Sequence, residues 1–331
     1  MEELLAGALD GSSDARDPMA TYVPLADVER YREVRRIGRQ HSGLTVAKDR
    51  GIAFVVAVDA DSPGAEAGLE QGDILAQVDG RSTRPMPLWR LQSMLAGETG
   101  TELALEVLRR GITHDLTLSL DTYETRAPEM ETIEDQPVVR LRRFEQRDLE
   151  AWRGLLAGLL ADGVDKLLVD VRGVAGGDPG VAYAMAGLVV EGSLGELRTR
   201  DEATIHYAGR ESPIWTGETV ILVDQGTQGA AEIFATVLRQ NGSSQLVGSP
   251  TFGLAGRQRL VSLSDGSQVL LTDAFYSGPD GEPINESLVP DVRVFDFGAA
   301  VSEDGDEVED LALEKALELL RQSEPAIREI A

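Results

Sequence analysis

Two glycine-rich junctions between a predicted strand and a predicted helix are the parts of this sequence best suited to chemistry. In the first, the run LLVDVRG (167–173) leads through Gly176 and Gly177 into a helix. In the second, VILVDQG (220–226) leads through Gly229 and Ala230 into another helix. Glycines at a helix N-terminus expose backbone N–H groups, which suit a phosphate or an oxyanion. Neither GxGxxG nor GxxxxGK[ST] is present, which disfavours nucleotide binding.

Side chains that could serve as a nucleophile, a base or a metal ligand are scarce. There is no cysteine, which excludes thiolate nucleophiles, disulfides and cysteine-ligated metals. The three histidines, His41, His114 and His206, are far apart and show no HExxH spacing, so neither a metal nor another cofactor is expected. No GxSxG motif occurs, which argues against an ordinary α/β-hydrolase.

Hydrophobic patterning predicts two kinds of architecture. From Gly43 to about Leu120, short β-rich runs surround one amphipathic helix, Leu88–Ala96, as in a small β-barrel whose opening is covered by a helix. After residue 137, strands VVRLRRF, KLLVDVRG and TVILVDQG alternate with helices 148–161, 180–190 and 229–239, and β-rich residues 258–276 follow. This alternation predicts an α/β core around a largely parallel sheet.

The predicted domain organisation has five parts. Residues 1–36 form a helical lead-in, 37–122 the β-barrel, 123–137 an aperiodic acidic linker, 138–300 the α/β core, and 301–331 an acidic linker with a C-terminal helix. Within the lead-in, the pattern predicts a short helix, a loop and a second helix whose start is favoured by Pro24 and Asp27. The acidic run 302–310 is interpreted as a solvated segment entering that helix, because it lacks the spacing of a calcium-binding loop.

The charge balance restricts the partners. A net charge of −26 repels phosphate backbones and anionic lipid surfaces, so neither nucleic acid nor a membrane surface is expected to bind. The chain has no apolar run long enough to span a membrane, and its first ten residues, MEELLAGALD, lack the pattern of a secretory signal.

The β-rich region resembles a PDZ domain. The residues that carry the resemblance form the run SPGAEAGLEQGDILAQVDG (62–80). In such domains the loop before a strand captures a C-terminal carboxylate, and the peptide adds as a further strand beside a helix. The corresponding peptide-binding residues here are Gly43, Leu44, Thr45 and Val46 in the loop, with Leu88, Gln92 and Leu95 on the helix. Thr45 stands where the family pattern has glycine, and the leucines could instead only complete the core.

The order of segments across nearly the whole chain resembles the carboxyl-terminal processing proteases, a family of serine peptidases. The matching runs after the PDZ-like region are VDVRGVAGG, VILVDQGTQGAAEI, VGSPTFGLAGRQ and VPDVRV. The resemblance implies a ClpP/crotonase-like α/β protease core beside the PDZ domain. It also implies a Ser/Lys dyad assisted by a glutamine, with glycine-rich N–H groups that hold the oxyanion.

Both members of the expected dyad are replaced in this sequence. The position of the serine corresponds to Gly229 and that of the lysine to Leu254, whereas the assisting glutamine is retained as Gln258. Gly176, Gly177 and the N–H of Ala230 correspond to the oxyanion loop, to which Asp170 and Arg172 also belong by their match to the family. The degenerate positions predict that no intact catalytic residue remains.

No substitute for the dyad is apparent. Only three of the 31 basic residues are lysines: Lys48 falls in the β-rich region, Lys315 in the terminal helix, and Lys166 at the opposite end of its strand from the glycine loop. Thr227 and Ser249 are interpreted as turn residues that bond to their own backbone. His206 is interpreted as a surface residue of a strand.

Three functions stay open on these grounds. The preferred one is a catalytically degenerate protease that binds C-terminal or unstructured peptide segments as an adaptor or as a regulator of an active homologous protease. The second is an active serine endopeptidase with a non-standard nucleophile or base, and the third is a purely structural or oligomerising role. The family resemblance implies a periplasmic or otherwise extracytoplasmic location, and a cytoplasmic one stays open, as does a homo-oligomer.

Overall fold

The structure, a computed structural model, describes residues 17–199, 204–210, 212–242, 244–294 and 310–322. The described helices are α1 (Val28–Ile37), α2 (Pro63–Glu66), α3 (Leu88–Leu95), α4 (Gln146–Ala161), α5 (Pro179–Ala186), α6 (Ala230–Gln240) and α7 (Leu311–Gln322), with a 3-10 turn at Leu25–Asp27. The described strands are β1 (Thr21–Val23), β2 (Leu44–Asp49), β3 (Ile52–Val58), β4 (Ile74–Val78), β5 (Arg81–Ser82), β6 (Glu102–Arg109), β7 (Ile112–Ser119), β8 (Glu129–Ile133), β9 (Gln136–Arg140), β10 (Lys166–Asp170), β11 (Ser193–Arg198), β12 (Ile205–Ala208), β13 (Glu218–Val223), β14 (Ser244–Gly248), β15 (Gly256–Ser262), β16 (Gln268–Tyr276) and β17 (Val292–Arg293).

The chain divides into two compact units. The N-terminal unit contains the residues up to Thr125 together with Arg257–Ala274, and the C-terminal unit contains Arg126–Gly256 and the residues from Phe275 onward. The segment Arg257–Ala274, which was predicted as part of the 138–300 core, groups with the N-terminal unit in the structure. Its strand β16 pairs with β1, through Thr21 and Leu270, a long-range contact that no local pattern indicates.

An antiparallel sheet forms the β-rich part of the N-terminal unit. Its strands follow the order β2-β3-β4-β6-β7, and β5 pairs with β4. Strand β6 alternates exposed and buried residues along its first half, the period of two that predicted it. Helix α3 buries Leu88, Leu91 and Leu95 against this sheet. The prediction of a small β structure covered by one helix is therefore confirmed.

The lead-in agrees with its prediction only in part. Helix α1 follows Pro24 and Asp27 as expected, and it buries Tyr31 against Trp89 of α3, with ring centroids 6.4 Å apart. Strand β1 was not predicted, because three residues carry no usable periodicity and their partner strand lies far along the chain. The first predicted helix lies in residues 1–16, outside the described residues.

A parallel sheet forms the centre of the C-terminal unit, as predicted. Strands β17, β14, β13, β10 and β9 are adjacent and parallel, and β8 joins the edge antiparallel to β9. Strands β10 and β13 are almost wholly buried, which explains why they read as continuous apolar runs rather than alternating ones. Helix α7 packs Ala312, Ala316, Leu317 and Leu320 onto the sheet.

Two further predictions concern the linkers. Strand β8 lies within residues 123–137, which were predicted to be aperiodic; the prediction is wrong at Glu129–Ile133. The strand has exposed side chains on both faces, because it forms the sheet edge, so it shows no hydrophobic alternation. The acidic run 302–309 lies outside the described residues, whereas helix α7 after it is present.

Within the described ranges, no helix has both the length and the apolar character needed to cross a bilayer.

Candidate functional site

The parallel sheet brings the two glycine-rich junctions side by side. Strands β10 and β13 are parallel neighbours in which Asp170 pairs with Leu222, so the loops that follow them leave the same edge of the sheet. The loops contact each other directly: Ala175 and Gln228 form a parallel bridge, and the N–H of Gln228 donates to the carbonyl of Val174 at 3.0 Å. The two junctions are therefore direct neighbours in the structure.

Gly229, predicted at the nucleophile position, precedes the first residue of α6. Its backbone has φ 63° and ψ −111°, a conformation that side-chain-bearing residues rarely adopt. A Cβ added there would have no atom within 4 Å. The position therefore has space for a side chain but holds its backbone in a strained form, as tight strand-to-helix turns at active sites do.

Leu254, predicted at the position of the base, lies in the loop before β15. Its N–H donates to Oε2 of Glu232 at 3.0 Å, and the N–H of Gly229 donates to the same oxygen at 3.0 Å. Gly229 and Leu254 are therefore neighbours in space. The leucine side chain is half-buried and offers no group that could accept a proton.

Glu232 is the residue that joins these two loops, and the sequence analysis did not identify it. It is fully buried in the first turn of α6. Besides the two N–H groups above, its Oε1 accepts from the N–H of Gly253 at 2.6 Å and from the Thr251 hydroxyl. Burial raises the pKa of Glu232, and these hydrogen bonds oppose the rise. An acidic residue three positions after a helix-capping glycine was the available sequence signal.

The oxyanion loop predicted at Gly176 and Gly177 also has an unusual backbone. Both glycines have positive φ, 88° and 111°. A Cβ at Gly177 would lie 2.9 Å from Cβ of Phe144, so only glycine fits this position. Ala230 begins α6, where a backbone N–H has no carbonyl partner within the helix. A role of these N–H groups in holding an oxyanion stays a prediction.

A buried ion pair holds the first loop. The Arg172 guanidinium contacts Asp170 through Nη2 at 2.8 Å and Asp310, just before α7, through Nη2 at 2.8 Å. Although burial lowers the pKa of Arg172, the two carboxylates outweigh it and the pKa is raised. Asp224 supports the second loop, because its Oδ1 accepts from the N–H groups of Gly173 at 2.9 Å and Gly226 at 3.0 Å.

Of the candidate substitutes for the dyad, Thr227 and His206 have side chains that contact other groups. The buried Thr227 hydroxyl lies 3.0 Å from the carbonyl of Val171 and accepts from the N–H of Asp224 at 3.0 Å, which confirms it as a turn residue. The N–H of Ser249 donates to Val223 at 3.2 Å. His206 is an exposed residue of β12, as predicted, with Nδ1 3.0 Å from Glu196.

The three lysines lie in the parts of the chain that the sequence predicted for them. Nζ of Lys166 donates to the carbonyl of Leu320 at 2.7 Å, and Nζ of Lys315 contacts Glu318 at 2.7 Å. In the N-terminal unit, Nζ of Lys48 donates to the carbonyls of Arg84 and Met86. Gln258 also lies in the N-terminal unit, on β15, with Nε2 3.5 Å from the hydroxyl of Thr272.

The predicted carboxylate-binding loop is closely packed. Gly43 has φ 73°, and a Cβ there would lie 2.0 Å from that of Ser62. The N–H of Gly43 donates to the Arg39 carbonyl at 2.7 Å, and that of Leu44 to the Ser42 hydroxyl at 3.3 Å. Thr45 is not among the residues with positive φ, so this position does not require a glycine here. The Thr45 hydroxyl accepts from Nη1 of Arg39 at 2.7 Å.

The predicted wall of the groove, α3, is less open than expected. Leu88 and Leu95 are only 2% and 3% exposed and belong to the core of the unit together with Val46. Gln92 is half-buried, and its Oε1 accepts from the hydroxyl of Tyr31 in α1 at 3.1 Å. A role of these three residues in peptide binding stays a prediction.

In the described part of the chain, no three histidine or acidic side chains come together as a metal site.

Comparisons with known proteins agree with this architecture. Residues 137–294 match the peptidase family S41, and residues 54–109 match a PDZ domain. The chain is 28% identical to the carboxy-terminal processing protease CtpA of Bacillus subtilis, covering 88% of this chain and 64% of that protein. It is also 28% identical to a carboxyl-terminal-processing protease of Synechocystis, covering 72% of this chain and 58% of that protein.

A solved structure supports the same fold. The photosystem II D1 C-terminal processing protease superposes with a TM-score of 0.75 at 24% identity, covering 87% of this chain and 81% of the other. The chain spans less than two thirds of the length of the curated relatives described above. The predicted combination of a PDZ domain with an α/β protease core is confirmed: residues 137–294 are a peptidase family S41 domain, and the chain is similar to the carboxyl-terminal processing proteases over most of its length.

Proposed function

We propose that this chain is a non-cleaving member of its family that binds C-terminal or unstructured peptide segments. It acts as an adaptor, or as a regulator of an active homologous protease, through its PDZ groove and its vacant cleft. The observation that carries the proposal is the pair Gly229 and Leu254. Their backbone N–H groups meet at Glu232. By the family resemblance, these are the positions at which the chemistry requires a hydroxyl and an amine.

The retained scaffold supports binding rather than loss of all function. The loop of Gly176 and Gly177 and the N-terminus of α6 keep backbone donors beside the cleft, and these can hold a peptide carbonyl without cutting the bond. Loss of the nucleophile alone lowers the rate of a serine hydrolase by about 10⁶-fold. A site with donors and no nucleophile is suited to holding a substrate.

The alternative, an active endopeptidase with another nucleophile, has little support. Thr227 is fully buried and its hydroxyl is held by backbone groups and Asp224. A lysine base is also lacking, since Lys166 and Lys315 are tied to Leu320 and Glu318. By family alone, we also propose an extracytoplasmic location.

The first test measures cleavage of an unstructured protein and labelling by a fluorophosphonate, which marks activated serines. We expect the native chain to neither cut nor take the label. We expect the double variant Gly229→Ser with Leu254→Lys to gain both, because the Cβ position at residue 229 is open. The strained backbone makes this variant less stable by about 1 to 3 kcal/mol, so folding is checked by circular dichroism.

The matched control is Gly229→Ala with Leu254→Lys, which has the same backbone strain and the same lysine but no hydroxyl. It should remain silent. Cleavage and labelling by the native chain would overturn the proposal, and mapping the labelled residue would identify the nucleophile. Binding is measured separately with fluorescent peptides carrying a free or an amidated C-terminus. Failure of the native chain to bind either would overturn the binding role.

A further inference from the structure

The outer edge of β2, to which a peptide tail would add, is already in contact with the chain's own lead-in. The N–H of Lys48 donates to the carbonyl of Pro18 at 2.9 Å. Strand β2 is the terminal strand of its sheet, so this bond lies on the side facing away from β3. Pro18 therefore occupies one hydrogen-bonding position of an otherwise peptide-accepting edge.

The register of the hairpin fixes which groups point outward. A two-residue turn, with positive φ at Arg50 and Gly51, joins Asp49 to Ile52. From this turn onward, residue pairs that exchange main-chain hydrogen bonds between β2 and β3 alternate with pairs that do not. The main-chain N–H and C=O of Lys48 therefore point away from β3, and so do those of Val46, two residues before it. Val46 pairs with Val55, whose N–H and C=O bond to Asp73 and Gly72 and so point away from β2.

A peptide strand added at this edge would thus form main-chain hydrogen bonds first with Val46 and then with Lys48. A tail whose carboxylate sits at the loop of Gly43 reaches Val46 first and Lys48 two residues later. The second position is taken by Pro18. Main-chain pairing of a tail is therefore available at Val46 and interrupted at Lys48.

The lead-in is held in place by bonds that do not involve β2. The Asp17 carboxylate accepts from the N–H of Met19 through Oδ1 at 3.1 Å and from the N–H of Thr272 through Oδ2 at 2.8 Å. Just after it, β1 pairs with β16. The other wall of the groove is also engaged by the lead-in, because Tyr31 donates to Gln92. Removing the Asp17 carboxylate should loosen Pro18 without altering β2.

We propose that Pro18, positioned by Asp17, limits recognition by this groove to about the last three residues of a C-terminal tail. The proposal rests on the proposed peptide-binding function and defines the class of partner: proteins with short, exposed ends rather than long extended segments. A longer tail gains nothing from its inner residues unless it displaces Pro18. Asp17 is a positioning residue for this specificity.

The test measures affinity for a series of labelled peptides of two, three, four and six residues, all ending in the same residues with a free carboxylate. We expect the affinity of the native chain to stop rising at three residues. With Asp17→Ala, the affinity should rise by about tenfold between three and six residues, as expected for one or two additional net hydrogen bonds. Asp115→Ala, which removes an equal charge at an exposed position of β7, should behave like the native chain.

Hydrogen exchange at the Lys48 amide reports on the contact itself, independently of peptide binding. We expect slow exchange in the native chain, faster exchange in Asp17→Ala, and renewed protection when the six-residue peptide binds that variant. If Asp17→Ala does not fold, Asp17→Asn replaces it, since its single side-chain oxygen can keep one of the two bonds.

Two results would overturn the proposal: exchange at Lys48 as fast in the native chain as in the variant, or a native affinity that rises with peptide length as steeply as the variant's. A protected Lys48 with no binding of any peptide would instead overturn the proposed function, and the length limit with it, while the contact of Pro18 would stand.

Discussion

Glu232 shows how much of this cleft depends on one side chain that takes no part in the expected chemistry. Its carboxylate accepts from the loop of Gly229 and from the loop of Leu254, two segments that are separate in sequence. A buried carboxylate is tolerated only when its oxygens are well supplied with donors, and here three N–H groups and the Thr251 hydroxyl supply them. The arrangement of the two loops is therefore held by Glu232 whether or not catalysis occurs.

Replacing Glu232 with glutamine should destabilise the chain. Glutamine brings an NH₂ group to a site where every neighbour is a donor, which leaves buried donors without an acceptor. We expect the free energy of unfolding to fall by about 2 to 3 kcal/mol in urea denaturation. The control Glu150→Gln, at an exposed position of α4, should change it by less than about 0.5 kcal/mol. Equal stability of the two variants would show that Glu232 does not hold the loops.

At the scale of elements, the contact between α1 and α3 links the lead-in to the predicted peptide groove. Tyr31 is 1% exposed, packs edge-on against Trp89 and donates to Gln92. Burial raises the pKa of Tyr31 to about 12, and Arg35 partly opposes this rise. A buried phenol that resists ionisation makes this contact sensitive to alkaline pH.

The pH dependence of stability tests the contact. Because the pKa of Tyr31 is 10.0 when unfolded and about 12 when folded, its contribution is complete below pH 10 and is lost as pH rises toward 12. The loss approaches about 1.4 kcal/mol per pH unit within this window. Tyr31→Phe should be less stable than the native chain by about 1 kcal/mol at pH 8, since it lacks the bond to Gln92.

The difference between native and Tyr31→Phe should shrink and then reverse above pH 10. It is measured by urea denaturation at several pH values between 8 and 11.5. A difference that stays constant over this range would contradict the burial of the hydroxyl.

At the scale of the whole molecule, the charge imbalance opposes compactness. Because the net charge is −26, folding brings like charges closer together and increases their repulsion. Salt screens this repulsion over about 10 Å at 0.1 M. We therefore expect the midpoint of thermal unfolding to rise by several degrees when NaCl increases from 0.02 to 0.5 M. Sucrose at equal osmolarity is the control for effects on water alone. A midpoint that falls with salt would mean that specific ion pairs, such as that of Arg172 and Asp310, outweigh the general repulsion.

The sequence by itself determined the family and the fold class, because those depend on local information. Buried strands β10 and β13 are continuous apolar runs, and the glycines after them mark the turns whatever the rest of the chain does. That Gly229 and Leu254 stand at the positions of the expected serine and lysine is a prediction made from the sequence resemblance, and its effect on activity stays a proposal.

Only the tertiary structure decided the contacts between distant segments. The edge strand β8 lacks alternation because neither face is buried, and β1 exists only through its pairing with β16. The donors around Glu232 and the bond from Lys48 to Pro18 join loops with no shared sequence pattern. Hydrogen bonds of this kind form where chain closure happens to bring donors and acceptors together, so residue periodicity carries no signal for them.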